Sequence, residues 1–549
     1  MSDVLVPYVS SPFSLRGAAH RLTARLQLSL AKHRSLAGHA RMSQRVARLV
    51  PFYEYDDATF FCSDGAPPMI EARRRAAFER LAALYDARFA KSAAATAEAA
   101  ERLSDLQFTA AYRVPFPYRR MVQARLRGGA FVEASDGATL TDLDGNQLLD
   151  LSGAYGVNVH GHAFYKECLA RGAERAAALG PVLGPYHPSV ADNVRRLTAL
   201  SGLDEVSFHM SGTEAVMQAV RLARYHTRRT HIVRFCGAYH GWWGDVQPGV
   251  GNPTRVRETY TLTELSEQSL RVLAHRRDVA CVLVNPLQML HPNRGAAGDS
   301  SLLVARATAA VDRATYADWL RRLREVCSAR GIVLILDEVF SGFRLAPGGA
   351  QEYFGVQADL VTYGKTLGGG LPIGVVCGRR ALMKRFRDDR PTDICFARGT
   401  FNAHPYVMAS MQAFLERMDD ADIRARYVGL DAVWDARAAR LNLALREAEV
   451  PVAVENLSSV FSVCYPRASR YHWMLQYYLR AEGLQLPWTG TARLIFSLDF
   501  DDATFDEVTR RFVAAARAMQ DDGWWWADDA LDARAIRRRI IRDFVRRVR

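Results

Sequence analysis

The sequence predicts an α/β fold built on a mostly parallel sheet, and three observations lead to this class. Short apolar runs typical of buried parallel strands recur from about residue 130, among them GIVLILDEV at 331–339 and ADLVTYG at 358–364. Segments with apolar residues at helical spacing alternate with them, as in AVMQAVRLARYH at 215–226. The chain has 549 residues, more than one ordinary core holds. We therefore expect a doubly wound α/β domain and at least one further domain.

The two ends of the chain are predicted to be helical and basic. Residues 1–112 form a predicted helical extension, because 16–49 repeats Leu and Ala on one side and 71–105 is rich in strong helix formers. Residues 526–549 form a predicted basic amphipathic helix. Its apolar face is expected to contain Ile536, Ile540, Ile541, Phe544, Val545 and Val548.

The formal net charge of +13 is concentrated in these ends. Residues 4–53 carry +8 and residues 534–549 carry +7, which leaves the rest of the chain at −2. The charge is therefore not expected to serve the central chemistry, and nucleic acid is not an expected partner. A peripheral membrane contact by the C-terminal helix is one interpretation, and a packed helix with a solvated basic face is the favoured one.

Composition and cysteine usage indicate a cytoplasmic protein. No stretch approaches the roughly 18 apolar residues of a membrane span, and the N-terminus lacks the apolar core of a secretory signal. The eight cysteines are scattered without a CxxC pair, which favours free thiols over disulfides or a zinc site, so no metal is expected.

A candidate anion site follows the predicted strand in VSFHMSGTEAVMQAVRLAR at 206–224. Gly212 permits a tight turn, and the helix that begins there offers free amides and the positive end of its dipole. Ser211 and Thr213 add hydroxyl groups. An ordinary helix cap is the alternative interpretation, since Ser and Thr are favoured at that position.

Two ionisable residues end the predicted buried strands. Asp337 needs a partner if it is buried, and either a protonated pyridine nitrogen, a loop amide or an arginine would serve. Lys365 follows a second apolar run and precedes three glycines. Burial would lower its pKa and suit it to Schiff-base chemistry with an aldehyde, whereas a snorkelling surface lysine is the alternative.

Two further turns contain candidate ligands. FCGAYHGWWG at 235–244 places Tyr239 and His240 after a strand, where an aromatic ring could stack on a cofactor or simply pack in the core. RGTFNAHP at 398–405 offers Thr400 as a second phosphate donor, or as part of a plain turn.

In this order and spacing, SGTEA, GAYHG, LDEVFSGFR, YGKTLGGG and GTFNAHP resemble class III aminotransferases over roughly residues 115–515. The resemblance implies a fold-type I architecture with a large cofactor domain over 166–399 and a smaller α+β domain over 113–165 and 400–525. It implies pyridoxal 5′-phosphate (PLP), an amino donor and a carbonyl acceptor as small-molecule partners, and a homodimer.

The resemblance also implies roles for the candidate residues. Lys365 would bind the cofactor aldehyde and Asp337 its pyridine nitrogen, and these two would be catalytic. Gly212 and Thr213 would bind the phosphate, Tyr239 would stack on the ring, and Thr400 would reach the phosphate of the neighbouring subunit.

Within the class, the sequence is similar to glutamate-1-semialdehyde aminomutase and to the aminotransferase modules of polyketide and nonribosomal peptide synthases. Phe340 stands where many class III enzymes have Gln, Asn285 where the class has a Glu that pairs with a switching Arg, and Ala492 where the aminomutase has a gating acid. Two hypotheses stay open: transfer of an amino group to a ketone or aldehyde, including one held on an acidic acyl carrier protein, and a 2,1-aminomutase reaction.

Overall fold

The computed structural model describes residues 23, 25–33, 35–252, 254, 257–293, 299–306, 310–528 and 531–548. The part of the predicted basic segment before residue 23 lies outside them. Residues 25–31 are helical. The α-helices with both bounds described are α1 (Ala40–Ala47), α2 (Asp57–Phe60), α3 (Pro68–Arg88), α4 (Ala90–Ala100), α5 (Ser104–Tyr112), α6 (Arg119–Arg125), α7 (His162–Ala176), α8 (Ser189–Ser201), α9 (Gly212–Thr227), α10 (Glu267–His275), α11 (Arg313–Arg330), α12 (Gly349–Phe354), α13 (Arg380–Met383), α14 (Pro405–Arg417), α15 (Ala421–Ala425), α16 (Leu430–Glu447), α17 (Leu475–Ala481), α18 (Asp502–Asp521) and α19 (Ala533–Val548).

The described strands are β1 (Val132–Asp136), β2 (Thr139–Asp142), β3 (Gln147–Asp150), β4 (Glu205–His209), β5 (His231–Phe235), β6 (Thr259–Leu262), β7 (Val279–Val284), β8 (Val304–Arg306), β9 (Val333–Asp337), β10 (Leu360–Gly364), β11 (Gly374–Gly378), β12 (Phe386–Arg387), β13 (Arg390–Ile394), β14 (Ala453–Leu457), β15 (Val460–Ser469), β16 (Leu484–Gln485) and β17 (Leu494–Ile495). Short 3₁₀ turns at Gly153–Gly156, Lys365–Gly368 and Gly490–Ala492 connect elements around the site.

Seven strands form the central sheet in the order β4-β11-β10-β9-β7-β5-β6. β11 runs antiparallel to both neighbours, and the other pairs are parallel. Every residue of β7, β9 and β10 is buried, as expected for strands covered by helices on both faces. The predicted α/β class with a mostly parallel sheet is confirmed.

The buried apolar residues of the described chain form three clusters: a large one on the central sheet, one around the smaller sheets, and one between the central sheet and α9. Helices α7 and α14 belong to the first cluster, through residues such as Cys168 and Met411. The division of the chain into domains stays a prediction. The packing differs from it here, because α14 follows residue 400 but packs with the large sheet.

The N-terminal helices share the second cluster with the C-terminal part of the chain. Phe78 and Tyr85 of α3 belong to the same buried cluster as Trp473 and Phe505. The hydroxyl of Tyr85 also donates to the carbonyl of Tyr477 at 2.9 Å. Part of the predicted helical extension, including α3, therefore shares a core with the C-terminal part of the chain.

Helix α19 uses only part of its predicted apolar face for packing. Ile536 and Ile540 are buried, and Asp543 accepts hydrogen bonds from the Tyr55 hydroxyl at 2.7 Å and from Arg470 at 3.2 Å. Ile541 remains 59% exposed. The helix packs through Ile536, Ile540 and Phe544, whereas Ile541 and Val545 of the predicted apolar face are exposed. The amphipathic character of residues 526–549 stays a prediction.

All eight cysteines are free thiols, as predicted, and seven of them are buried. Cys62, between α2 and α3, is the partly exposed one, and burial raises the pKa of its thiol. Among the described residues, no helix is long and apolar enough to cross a membrane and no cluster of side chains is suited to hold a metal ion.

Candidate active site

The candidate site lies where four neighbouring segments leave the central sheet. Asp337, the last residue of β9, is paired in register with Thr362 of β10. Gly364 at the end of β10 pairs with Gly374, which in turn pairs with His209 at the end of β4. The sheet thereby brings together Asp337, the lysine after Gly364 and the turn after His209. Ligand sites of open α/β sheets form at this carboxyl edge.

Asp337 is a buried carboxylate with a histidine partner. Its Oδ2 lies 2.8 Å from Nδ1 of His240, whose ring is fully buried. Its Oδ1 accepts from the Thr362 hydroxyl at 3.1 Å and from the Val339 amide at 3.2 Å. The contact with the Val339 amide agrees with the alternative interpretation, in which Asp337 caps the loop after its strand. His240 makes this pair rather than a contact with solvent, and its Nε2 has no partner among the described residues.

Lys365 is a partly buried amine in a left-handed turn. Its φ is +47°, an unusual value for a residue with a side chain. Its Nζ lies 5.9 Å from the ring centre of Phe340. Burial lowers the pKa of Lys365, as do the charges of Arg344 and Arg493, while Asp337 raises it. A lysine in this position is a better nucleophile at neutral pH than a solvated one, which disfavours the snorkelling interpretation.

The turn before α9 has the features of an anion site. Ser211 Oγ accepts from the Glu214 amide at 3.3 Å and caps the helix. The first amides of α9, at Gly212 and Thr213, have no intrahelical acceptor. A side-chain carbon added at Gly212 would lie 2.5 Å from Val339, the loop that follows Asp337. The capping and anion-binding interpretations are thus compatible.

The predicted aromatic turn closes on the same helix end. A side-chain carbon added at Gly241, whose φ is +89°, would lie 2.6 Å from the Thr213 hydroxyl. Tyr239 is 56% exposed, and both burial and the charge of Asp337 raise the pKa of its hydroxyl. Its exposed side chain is open to a ligand, as the predicted stacking role requires.

Thr400 is the candidate that the structure does not bring into the cluster. It lies in an exposed turn, and no hydrogen bond among the described residues joins it to Ser211 or Thr213. The contact predicted for Thr400 was with the phosphate of a neighbouring subunit.

Two arginines whose charges lower the pKa of Lys365, the buried Arg344 and the partly buried Arg493, were not predicted as site residues. Arg344 donates to the Ser459 hydroxyl and the Phe496 carbonyl, each at 2.7 Å. Arg493 makes no ion pair or hydrogen bond with a described residue, and burial lowers its pKa to about 10. An arginine inside the apolar run TARLIFSL was the sequence signal that could have identified it.

Asn285, at the end of β7, is held by backbone groups. Its Oδ1 accepts from the Leu287 amide and its Nδ2 donates to the Tyr239 carbonyl, both at 3.1 Å. An uncharged side chain held at both ends cannot serve as an acid that pairs with a switching arginine. The predicted absence of that gate agrees with this geometry.

The residues present fit pyridoxal phosphate. Gly212 and Gly241 allow close approach of the turns around the start of α9, where the first amides have no intrahelical acceptor. Gly364, the residue before Lys365, lies beside Gly212, and Lys365 has no hydrogen-bond partner among the described residues. A buried carboxylate stands ready for a cationic ring nitrogen. Fold and site together define a PLP-dependent transaminase.

The chain belongs to the class III aminotransferase family, whose sequence profile matches residues 122–246 and 309–516. It is 33% identical over 341 residues to glutamate-1-semialdehyde 2,1-aminomutase of Nitratidesulfovibrio vulgaris strain DP4, covering 61% of this chain and 77% of that protein. The predicted family, enzyme class and cofactor are confirmed.

Solved structures show the same fold. A transaminase with PLP bound is 28% identical, with a TM-score of 0.62 and coverage of 78% of this chain and 97% of that one. An omega-transaminase from Sphaerobacter thermophilus is 25% identical, with a TM-score of 0.62 and coverage of 79% and 98%. A glutamate-1-semialdehyde aminomutase from Pseudomonas aeruginosa PAO1, at 20% identity, a TM-score of 0.63 and coverage of 81% and 98%, supports the fold alone.

Proposed function

We propose that this enzyme moves an amino group from an amino-acid donor to a ketone or aldehyde, with Lys365 and Asp337 as the catalytic residues. The observation that supports it best is the position of Lys365. Its amine has a lowered pKa, and its strand runs beside the one that ends in the buried pair of Asp337 and His240. This arrangement suits a lysine that alternates between binding the cofactor and carrying a proton.

Each residue has a distinct task in this proposal. When bound, PLP supplies an aldehyde that combines with amines and a ring that accepts electrons from the reacting carbon. Lys365 Nζ would hold the cofactor at rest, and its freed amine would take a proton from the amine-bearing carbon of the donor and deliver it to the cofactor side of the bond. Asp337 would pair with the protonated ring nitrogen, and His240 would orient Asp337. The amides of Gly212 and Thr213, with the Ser211 and Thr213 hydroxyls, hold the phosphate, and Tyr239 covers the ring.

Arg493 supports a donor that carries a carboxylate. A largely buried guanidinium without an acid among the described residues is costly unless an anion reaches it. Its charge lowers the pKa of Lys365, which supports a place for Arg493 in the same site. Because the neutral Asn285 replaces the acid of the usual gate, Arg493 would stay available in both halves of the reaction.

The test is a donor and acceptor screen on the purified holoenzyme. Amino acids are added one at a time, and the visible absorbance of the bound cofactor is followed until it converts to the amine form. We expect conversion by at least one α-amino acid and recovery by a keto acid or aldehyde. The proposal is overturned if no amine changes the spectrum of a fully loaded enzyme.

An aminomutase is the second candidate, since the curated relatives carry that name at 31–34% identity. A mutase shuffles an amine within one substrate and needs no separate donor. Glutamate-1-semialdehyde offered alone to the amine-loaded enzyme would turn over many times if this candidate is right. A single turnover per active site would favour the transaminase.

A more specific version of the transaminase proposal is that the acceptor is an acyl group held on a carrier protein, which the motifs shared with synthase modules support. Comparing two acceptors with the same acyl group, one free and one attached to an acyl carrier protein, tests whether the enzyme requires the carrier. A much higher kcat/KM for the attached acyl group is the expected result, and equal values would overturn this refinement.

We also infer a homodimer in which Thr400 completes the phosphate site of the other subunit. The exposed turn around Thr400 and the open end of α9 support this inference. Replacing Thr400 with Ala should weaken PLP binding while leaving the dimer mass unchanged in sedimentation. Unchanged PLP affinity would argue against the role of Thr400.

A further inference from the structure

The turn Gly490–Ala492 comes directly before Arg493, and a carboxylate from another part of the chain holds it. Asp299, which is fully buried, accepts hydrogen bonds from the Thr491 amide at 2.9 Å and from the Thr491 hydroxyl at 2.7 Å. A side-chain carbon added at Gly490, whose φ is +68°, would collide with Oδ2 of Asp299. A glycine at this position therefore lets the carboxylate approach the turn closely.

The hydroxyl of Thr491 has a second partner on β15. It lies 2.7 Å from the hydroxyl of Tyr465. Because the hydroxyl proton of Thr491 goes to Asp299, Tyr465 is the donor in this contact. The strand that follows Asp299 is β8, and its Arg306 pairs with Tyr465. The carboxylate therefore comes from a segment that β15 holds in place.

A histidine acts on the other end of the turn through a serine. The Ser462 hydroxyl donates to the Ala492 carbonyl at 3.0 Å, and that carbonyl belongs to the peptide group that contains the Arg493 amide. Nε2 of His291, a buried side chain, lies 2.5 Å from the same hydroxyl. Because the one hydroxyl proton of Ser462 goes to Ala492, His291 is the donor to Ser462. Two hydrogen bonds in series thus orient the peptide group at Arg493.

The backbone of Arg493 is also fixed on its other side. The next residues form β17, in which Leu494 pairs with Phe461 of β15. The guanidinium itself makes no ion pair or hydrogen bond with a described residue. Arg493 therefore combines a backbone that is held at both ends with a charged group that is left for a ligand.

One short turn separates β17 from Lys365. A side-chain carbon added at Gly153 would lie 2.6 Å from the Ile495 carbonyl oxygen, and one added at Gly156 would lie 3.3 Å from Cδ of Lys365. The turn Gly153–Gly156 is thus packed against β17 at one end and against the lysine at the other. The strand that begins after Arg493 therefore borders the candidate active site.

The two holding residues come from outside the matched family region. His291 and Asp299 lie between the two stretches that the family profile matches, 122–246 and 309–516, whereas Arg493 lies within the second stretch. Family membership alone therefore assigns them no role, and their contacts have to be interpreted from the structure.

We propose that Asp299 and His291 are positioning residues for Arg493, and that they determine how tightly the enzyme binds the carboxylate of its substrate. The proposal rests on the proposed function, in which Arg493 binds the carboxylate of the donor. A cation whose backbone is fixed before the ligand arrives loses less conformational freedom on binding, so its affinity for the ligand is higher.

The test is calorimetric titration of the purified holoenzyme with propionate, a carboxylate that has no amine to react with the cofactor. Thr491→Val removes the hydroxyl and keeps the shape of the side chain, so the Kd of propionate should rise roughly 2- to 10-fold, as expected for the loss of one hydrogen bond. Thr491→Ser keeps the hydroxyl and should retain the wild-type Kd. Asp299→Asn and His291→Phe should weaken propionate binding to a similar extent.

Thr315→Val is the matched control. The amide and hydroxyl of Thr315 donate to Asp312 at 2.8 and 3.0 Å, which is the same kind of Thr–Asp contact at the start of α11. This variant should leave the Kd of propionate unchanged. Bound PLP per chain should equal the wild-type value in every variant, which separates a positioning role from a loss of fold.

Repeating the titrations in an Arg493→Met background shows whether the effect passes through the arginine. There Thr491→Val and His291→Phe should cause no further loss, and an equal loss in both backgrounds overturns the proposal. In the Arg493 background, wild-type affinity in Thr491→Val overturns the role of Asp299, and wild-type affinity in His291→Phe overturns that of His291.

The same titrations separate this proposal from the proposed function. Unchanged propionate binding in Arg493→Met alone would reject the carboxylate role of Arg493, and the positioning role with it. The expected pattern of affinities in an enzyme that transfers no amino group would reject the transaminase reaction and keep the positioning of Arg493.

Discussion

The cations near Lys365 and the cations of α19 differ in what surrounds them. Lys365, Arg344 and Arg493 are largely withdrawn from water, and for all three burial lowers the pKa. The exposed arginines of α19 make no ion pair with a described residue, and water satisfies them. Most of the net charge lies in the two ends, yet the proposed function uses Lys365 and Arg493, two cations that are largely withdrawn from water. In this proposal, the surroundings of a cation indicate its role better than the number of charges does.

The largest expected effect of this difference is on Lys365. Lys365→Ala should lower turnover by more than the ~10²–10⁴-fold that proton transfer by a positioned group contributes. It should also remove the visible absorbance of the lysine-bound cofactor. Arg537→Ala, an exposed cation of α19, is the comparison and should retain the wild-type rate. Near-normal turnover of the Lys365→Ala enzyme would contradict the catalytic role proposed for Lys365.

Arg493 should show the next largest effect. Arg493→Met preserves the volume of the side chain and removes its charge, so the KM of a carboxylate donor should rise ~10- to ~150-fold, the equivalent of about 1.5–3 kcal/mol for a charge-assisted hydrogen bond. An amine that lacks the carboxylate should keep its KM. Initial rates with alanine and with ethylamine separate the two cases. An equal loss for both donors would assign Arg493 to folding instead.

The rate at which the apoenzyme binds PLP should depend on pH, with a midpoint set by the lowered pKa of Lys365. Capture needs the neutral amine of Lys365, so its rate should rise with pH around a midpoint below the ordinary pKa of 10.5. Arg493→Met should move the midpoint up, and Asp337→Asn should move it down, because these charges act oppositely on the pKa of Lys365. Stopped-flow absorbance measures the rate, and a midpoint at 10.5 in the wild type would contradict the lowered pKa.

The same pKa affects the stability of the apoenzyme. The folded pKa lies below the unfolded one, so Lys365 destabilises the fold at pH values below its folded pKa. That penalty is relieved as pH rises towards 10.5.

The smallest expected effects concern α19, where two isoleucines form a matched pair. Ile536 is buried and Ile541 is 59% exposed. Ile536→Ala should lower the free energy of unfolding by about 2–5 kcal/mol, because it leaves a cavity, whereas Ile541→Ala should change it by about 0.5 kcal/mol or less. Urea unfolding followed by tryptophan fluorescence measures both. Similar values would show that α19 is not docked in solution.

The sequence predicted the central sheet well because buried parallel strands leave a simple local signal. β9 and β10 are continuous apolar runs, and Asp337 and Lys365 follow from their position at the strand ends. The core shared by α3 and the C-terminal strands was not predictable, because its partners are some 390 residues apart, as Tyr85 and Tyr477 show. The pairing of His240 with Asp337 and the unpaired state of Arg493 likewise depend on tertiary contacts.

The distribution of thiols has a practical consequence. A maleimide dye mixed with the folded protein has one partly exposed target, Cys62, and reaction should be slow because burial raises the pKa of that thiol. Cys62 lies three residues before Gly65, against which Arg539 of α19 is packed. Fluorescence from a label at this position would therefore respond when the last helix detaches, so the protein carries a built-in attachment point for a conformational reporter.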